Sequence, residues 1–171
     1  MIFVGVIFLI LFTLDLSTIV FLPLHPLISN YFITPNFLFL GLCIFCFFDQ
    51  KNHVLWVALF TGFIYDVYFT NLIGLHMSLF PLTVIVIKRF VVPISPLNFI
   101  SLGSAAAVCL LIKDVTIYTF FYIFGHQSAT FLYFLQYRFI VTLIFNFIVL
   151  LLLYFPLTKS FKAYKEKLKS H

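Results

Sequence analysis

The chain has 171 residues, of which 64% are hydrophobic and 9% are charged. Ordinary soluble domains are about 45–50% apolar and about 25% charged, so this composition excludes a water-facing globular surface. The formal net charge of +5 does not indicate nucleic-acid binding, because half of the ten basic residues gather in the C-terminal tail. We therefore predict a single transmembrane domain over residues 1–171, ending in a short lysine-rich tail over about 157–171.

Long apolar runs predict the transmembrane helices. A helical span requires about 20 mostly apolar residues. Runs that meet this requirement lie at residues 1–22, 31–48, 97–122 and 131–155. The first run has no basic segment before it, which predicts a retained span and not a signal peptide. In the second, Pro35 and Asn36 predict a helix start, because a proline in the first turn has no N–H that needs a partner.

Residues 54–87 are too long for one span. They are interrupted by Gly62, by Thr70 and Asn71, and by Gly74. These breaks predict two short helices, at about 54–69 and 72–87. The sequence thus predicts an all-α bundle of six transmembrane helices in which the third and fourth are short. A re-entrant hairpin at 54–87 would return the chain to the same side of the membrane as two full crossings, so this alternative stays open.

The basic residues predict the orientation, because Lys and Arg accumulate in cytoplasmic connections. With six spans, Lys51, the pair Lys88 and Arg89, and the tail lysines all lie on one side. The opposite connections, 23–30, 70–71 and 123–130, carry no Lys or Arg. This distribution predicts that both termini are cytoplasmic and that the tail contacts anionic lipids.

Five ionisable residues lie within the predicted spans: Asp15, Asp66, Lys113, Asp114 and Arg138. A charge facing lipid at a helix centre costs about 2.5–3.5 kcal/mol, so these side chains are expected to face protein, water or each other. Counting about 1.5 Å per residue from the outer helix ends places all five in the outer half of the membrane, with Asp15, Asp114 and Arg138 about 10–12 Å deep. We predict a polar cluster there.

Within this cluster, matching depth on neighbouring helices predicts an ion pair between Asp114 and Arg138. Lys113 points about 100° away from Asp114 and could reach Asp15 or Asp66. Two interpretations stay open: the ion pairs specify how the helices pack, or the cluster forms a polar pocket that a partner or ligand contacts.

Other chemistry finds little support in the sequence. Cys43 and Cys46 have the spacing of a redox motif, but without further ligands nearby they are interpreted as small apolar residues. The five histidines are scattered and do not form a metal-ligand set. No Ser/His/Asp arrangement, His-Glu-x-x-His motif or glycine-rich phosphate loop occurs. We predict no enzymatic activity, no cofactor and no metal site.

Two motifs carry a family resemblance. Pro35 and Asn36 begin the second helix, and Gly62-Phe63-Ile64-Tyr65-Asp66 is followed by Gly74-Leu75. Together with six spans in this length, they resemble the rod shape-determining protein MreD family. The resemblance implies a non-enzymatic scaffold of the bacterial cell-elongation complex, or elongasome, in the cytoplasmic membrane. It also implies binding to the membrane protein MreC and to other elongation proteins that support lateral peptidoglycan synthesis.

A second hypothesis comes from the same resemblance, because that family is similar in fold to the substrate-binding subunits of energy-coupling vitamin transporters. In that case the polar cluster would bind a small molecule for import. Such subunits usually present an alanine-x-x-x-alanine face to their coupling partner, and the first helix here has none. That difference favours the scaffold.

Overall fold

The computed structural model describes residues 2–21, 33–49, 53–70, 72–94, 98–125 and 130–169. Lys51, Asn71 and the predicted connection 23–30 lie outside the described residues. Within the described ranges the chain is helical and contains no strand. The six helices are α1 (Ile2–Phe21), α2 (Phe37–Cys46), α3 (His53–Tyr65), α4 (Leu75–Val86), α5 (Phe99–Ile123) and α6 (Phe131–Phe134 and Ile140–Lys169).

Three π-helical turns extend these helices. Asp66–Thr70 continues α3, Ile87–Val91 continues α4, and Leu135–Phe139 joins the two parts of α6. Such turns are rare in proteins and are frequent at functional sites. One of them contains Asp66 and another contains Arg138, two of the five residues predicted to form the polar cluster.

Among the described residues, four helices are long and apolar enough to cross a membrane: Phe3–Val20, His53–Thr70, Phe99–Ile123 and Phe131–Ala163. Their surfaces carry large apolar side chains, such as Leu9, Trp56 and Leu152, that are 64%, 72% and 67% exposed. Helices this long and apolar, with large apolar side chains on their surfaces, are typical of a protein whose solvent is lipid. The prediction of an all-helical membrane protein is confirmed.

The prediction of a helix over 31–48 is wrong at its start. Residues 33–36 are not helical, and α2 is 10 residues long. Pro35 explains the difference, because its ring disfavours the helical conformation at Thr34. A helix does begin directly after Pro35 and Asn36, as predicted, but it begins inside the protein, where Pro35 and Asn36 are both buried.

The chain divides into two compact units, which are described separately. The first contains Met1–Leu40 and Ala107–Leu152, and the second contains Gly41–Ala106 and Leu153–His171. In the first unit, Tyr118, Phe134 and Phe139 form a buried aromatic core between α5 and α6. In the second, Phe161 packs against Phe45 at 4.9 Å between ring centroids.

Within the second unit, α3 and α4 form an antiparallel hairpin. At one end the Lys88 Nζ donates to the Asp49 carboxylate at 3.2 Å and to the Asp49 backbone carbonyl at 2.9 Å. Asp49 also accepts from the Val54 N–H at 3.0 Å and so caps the start of α3. The chain therefore returns after α4 to the end at which α3 began, as the charge pattern requires for Lys51 and Lys88.

Candidate functional site

Asp66 occupies the other end of the α3–α4 hairpin, fully buried. Its carboxylate accepts three backbone N–H groups, from Gly74 at 2.7 Å, His76 at 2.8 Å and Met77 at 3.1 Å. The His76 Nδ1 lies 3.0 Å from the same carboxylate. These N–H groups belong to the first turn of α4, where no intrahelical acceptor exists. Asp66 therefore caps α4 from a neighbouring helix.

Two glycines make this arrangement possible. Gly74 precedes α4 with a φ of 119°, a conformation that favours glycine. Because glycine has no side chain, Gly74 cannot cap α4 itself. Gly62 lies where the α3 backbone comes closest to α4: a Cβ placed on it would be 2.5 Å from the His76 carbonyl oxygen. The family-motif residues Gly62, Asp66 and Gly74 thus form one local structure, the Asp66 cap, together with His76 and Met77.

Asp15 plays a corresponding role in the first unit. It lies on α1, fully buried, and its carboxylate accepts the N–H groups of Phe37 at 2.8 Å and Leu38 at 3.1 Å. These are the first two residues of α2. A carboxylate at a helix N-terminus gains both hydrogen bonds and a favourable interaction with the helix dipole. Each short helix therefore begins on an aspartate supplied by the helix before it.

The non-helical residues before α2 are held by a second set of polar contacts, the Asn36 network. The Asn36 N–H donates to the Asn146 Oδ1 at 2.9 Å, and the Thr34 N–H donates to the Thr142 Oγ1 at 3.2 Å. The amide groups of Asn36 and Asn146 both donate to the Thr34 carbonyl, at 2.8 and 2.9 Å. Non-helical backbone at membrane depth is tolerated where protein satisfies it, which these contacts do.

Lys113 of α5 joins this network as a buried cation, 2% exposed. Its Nζ donates to the Asn36 Oδ1 and lies 3.3 Å from the Asp114 carboxylate. The same ammonium group lies 5.2 Å from the centre of the Phe39 ring, within cation–π range. Asp114 is 7% exposed, so this is a buried ion pair between sequence neighbours.

The five residues predicted to cluster are therefore distributed over separate contacts. Asp15, Lys113 and Asp114 all lie in the first unit, around the start of α2. The described contacts of Asp66 all lie within the second unit. In the described part of the chain, Asp114 is paired with Lys113, and no ion pair joins it to Arg138. A common functional role for the five residues stays a prediction.

Several polar residues of these sites were not singled out from the sequence. Asn146 and Thr142 lie in an apolar helix and carry no charge, so a search for ionisable groups passes over them. His76 follows Asp66 by ten residues across the Gly74 turn, and that spacing could have suggested a contact across the turn. Asp49 lies outside the predicted spans and was therefore not among the intramembrane charges. Its position near Lys51 and its contact with Lys88 agree with the hairpin.

We expect Lys113→Met to lower the stability of the detergent-solubilised protein by about 2 kcal/mol, because it leaves the Asp114 carboxylate and the Asn36 amide without their donor. The double variant Lys113→Met/Asp114→Asn should recover about 1 kcal/mol of that loss, which is the coupling between the two side chains. The coupling is measured by thermal unfolding of the wild type, the two single variants and the double variant in one detergent. If the losses of stability in the single variants simply add in the double variant, Lys113 and Asp114 do not interact.

Comparisons with known proteins agree with the resemblance in the sequence. A family model described as rod shape-determining protein MreD matches residues 1–164. The chain is also 32% identical over 144 residues to the rod shape-determining protein MreD of Bacillus subtilis (strain 168). That alignment covers 80% of this chain and 79% of the relative. No solved structure matches the chain.

Proposed function

The chain belongs to the rod shape-determining protein MreD family, and we propose that it is a non-enzymatic scaffold subunit of the bacterial cell-elongation complex. In this proposal it is a multi-pass protein of the cytoplasmic membrane with both termini in the cytoplasm, and its α3–α4 hairpin enters the membrane from the cytoplasmic side. It binds the membrane protein MreC and helps to position other elongation proteins for lateral peptidoglycan synthesis. The tail lysines, which lie between Lys159 and Lys169 on the last turns of α6, contact anionic lipids.

The observation that supports a partner is the exposed turn between α3 and α4. Leu72 and Ile73 are 40% and 69% exposed, and Gly74 is exposed beside them. From Lys88 back to Gly74 is 14 residues, which as helix is about 21 Å. The hydrocarbon core is about 30 Å thick, so with Lys88 at one boundary the turn lies about 9 Å inside the other.

Non-helical backbone at that depth must be covered by protein or must line a water-filled cavity. The exposed large side chains described at this turn, Leu72 and Ile73, are apolar, and Val67 in the π-helical end of α3 is a further exposed apolar residue, at 45%. Apolar side chains favour protein over water as the cover. We propose that a transmembrane or juxtamembrane segment of MreC packs on the surface formed by Val67, Leu72 and Ile73, and that the Asp66 cap fixes the shape of this surface.

The test is an affinity pull-down of the tagged chain from its native membrane, with MreC quantified by mass spectrometry. Ile73→Ser should reduce MreC recovery about tenfold, the effect of losing one well-packed apolar contact at an interface. Ile148→Ser is the matched control, because Ile148 is also exposed, at 56%, but lies on α6. Both variants must first give the same yield of monodisperse protein.

Equal recovery of MreC with the two variants would place the interface elsewhere. Absence of MreC, with recovery of ATPase subunits, would overturn the scaffold proposal and favour the vitamin-transport hypothesis. The described polar groups give that hypothesis less support, because Asp15, Asp66 and Lys113 already bind backbone and side-chain groups of the chain itself. A substrate would have to compete with those contacts.

A further inference from the structure

Of the five charged residues that the sequence places within the spans, Arg138 is the one that takes no part in the contacts described above. It lies in the π-helical turn that joins the two parts of α6, and it is partly buried. In the described ranges, the ion pairs of Lys and His side chains are those of His76, Lys88 and Lys113, and no hydrogen bond or ion pair involves Arg138. A guanidinium group in an apolar helix requires a compensating anion or water.

The position of Arg138 along α6 indicates which anion is within reach. Residues 139–158 carry no charged residue, and Lys159 begins the basic end of the helix. Twenty helical residues measure about 30 Å, which is the thickness of the hydrocarbon core. If this uncharged stretch fills the core, Arg138 lies at the membrane boundary opposite the lysines. The count from the outer end of the helix in the sequence analysis placed Arg138 deeper in the membrane, because that count treats residues 131–137 as buried in hydrocarbon.

The side chains of residues 131–137 are typical of the headgroup region. Phe131, Tyr133 and Tyr137 are 50%, 44% and 39% exposed, and the two tyrosine rings stack at 4.6 Å between centroids. Aromatic rings of this kind collect at the membrane–water interface. This part of α6 therefore presents one cation at the depth of lipid phosphates.

We propose that Arg138 binds the phosphate group of an anionic phospholipid in the leaflet opposite the lysine-rich tail. The planar guanidinium group can donate two parallel hydrogen bonds to phosphate oxygens. Its place at the boundary favours a lipid phosphate over the carboxylate of a partner helix, which would have to lie at the same depth. This site is independent of the surface proposed for MreC.

Tryptophan quenching by brominated lipids tests the site locally. Trp56 is the single tryptophan of the chain, so Trp56→Phe combined with Tyr137→Trp places one reporter beside Arg138. The protein is reconstituted in phosphatidylcholine vesicles, with either brominated phosphatidylglycerol or brominated phosphatidylcholine as the quencher. We expect phosphatidylglycerol to be preferred at the reporter by about fivefold, the scale of one basic side chain near an anionic surface.

Arg138→Gln in the same reporter background should abolish the preference, and Arg138→Lys should keep part of it, since lysine retains the charge without the planar donors. The fold should survive both changes, which equal unfolding temperatures would verify. If the preference is absent with Arg138 present, or persists in Arg138→Gln, the lipid proposal is wrong. In the first of these cases, the carboxylate of a partner protein becomes the better candidate.

Discussion

Replacing Asp66 with alanine is expected to lower the free energy of unfolding by about 4 kcal/mol, because three backbone N–H groups at the start of α4 lose their acceptor. A buried N–H group without an acceptor costs about 1–3 kcal/mol, and relaxation recovers part of this cost. Asp66→Asn should lose nearly as much. Its amide keeps one acceptor oxygen, but its NH₂ group would face N–H donors from Gly74 and Met77. The expected result is early unfolding of the α3–α4 hairpin in detergent.

Trp56 makes this measurable, because it lies on α3 and is the only tryptophan. Its fluorescence during thermal unfolding in a fixed detergent should show a lower transition temperature for both Asp66 variants. Glu166→Gln is the control, since it removes a carboxylate that is exposed near the end of α6. A wild-type transition in Asp66→Ala would mean that the contacts of Asp66 do not hold α4 in place.

The sequence predicted the Asp66 turn well but the partners of the charges poorly. Gly62, Asp66 and Gly74 could be placed near a turn because glycine and the break in hydrophobicity mark it locally. The partner of Asp114 could not be derived in the same way. Matching depth pointed to Arg138, but depth along a helix says nothing about its rotation or about how far a lysine side chain bends. Lys113 reaches both Asp114 and Asn36 through that flexibility.

The start of α2 shows a different limit. Hydropathy treats residues 31–48 as one apolar run, because it measures transfer into lipid and not backbone conformation. The non-helical residues 33–36 depend on hydrogen bonds that Thr142 and Asn146 accept, more than 100 positions away in sequence. Uncharged polar residues in an apolar helix were the available signal for such contacts, since an amide in a membrane helix requires a partner.

Gly62→Ala is the smallest change for which we expect a large effect. The added Cβ would meet the His76 carbonyl oxygen at 2.5 Å and the Met77 Cα at 2.7 Å, and both atoms belong to backbone that cannot rotate away. The helices would have to separate, which would also pull the His76 and Met77 N–H groups away from Asp66. Overpacking usually costs about 1–3 kcal/mol, and the coupled loss at the cap should bring the total to at least ~3 kcal/mol.

Gly5→Ala is the matched control, because Gly5 also lies in a helix, α1, and its Cβ would meet nothing within 4 Å. That change should be neutral or stabilising by up to about 1 kcal/mol, since alanine has the higher helix propensity. Unfolding temperatures of the two variants in the same detergent give the comparison. If Gly62→Ala were as stable as Gly5→Ala, the close approach of α3 and α4 would be wrong. If MreC binds the surface at Val67, Leu72 and Ile73 as proposed, Gly62→Ala should also reduce MreC recovery, because the shape of that surface would change when α4 no longer begins on Asp66.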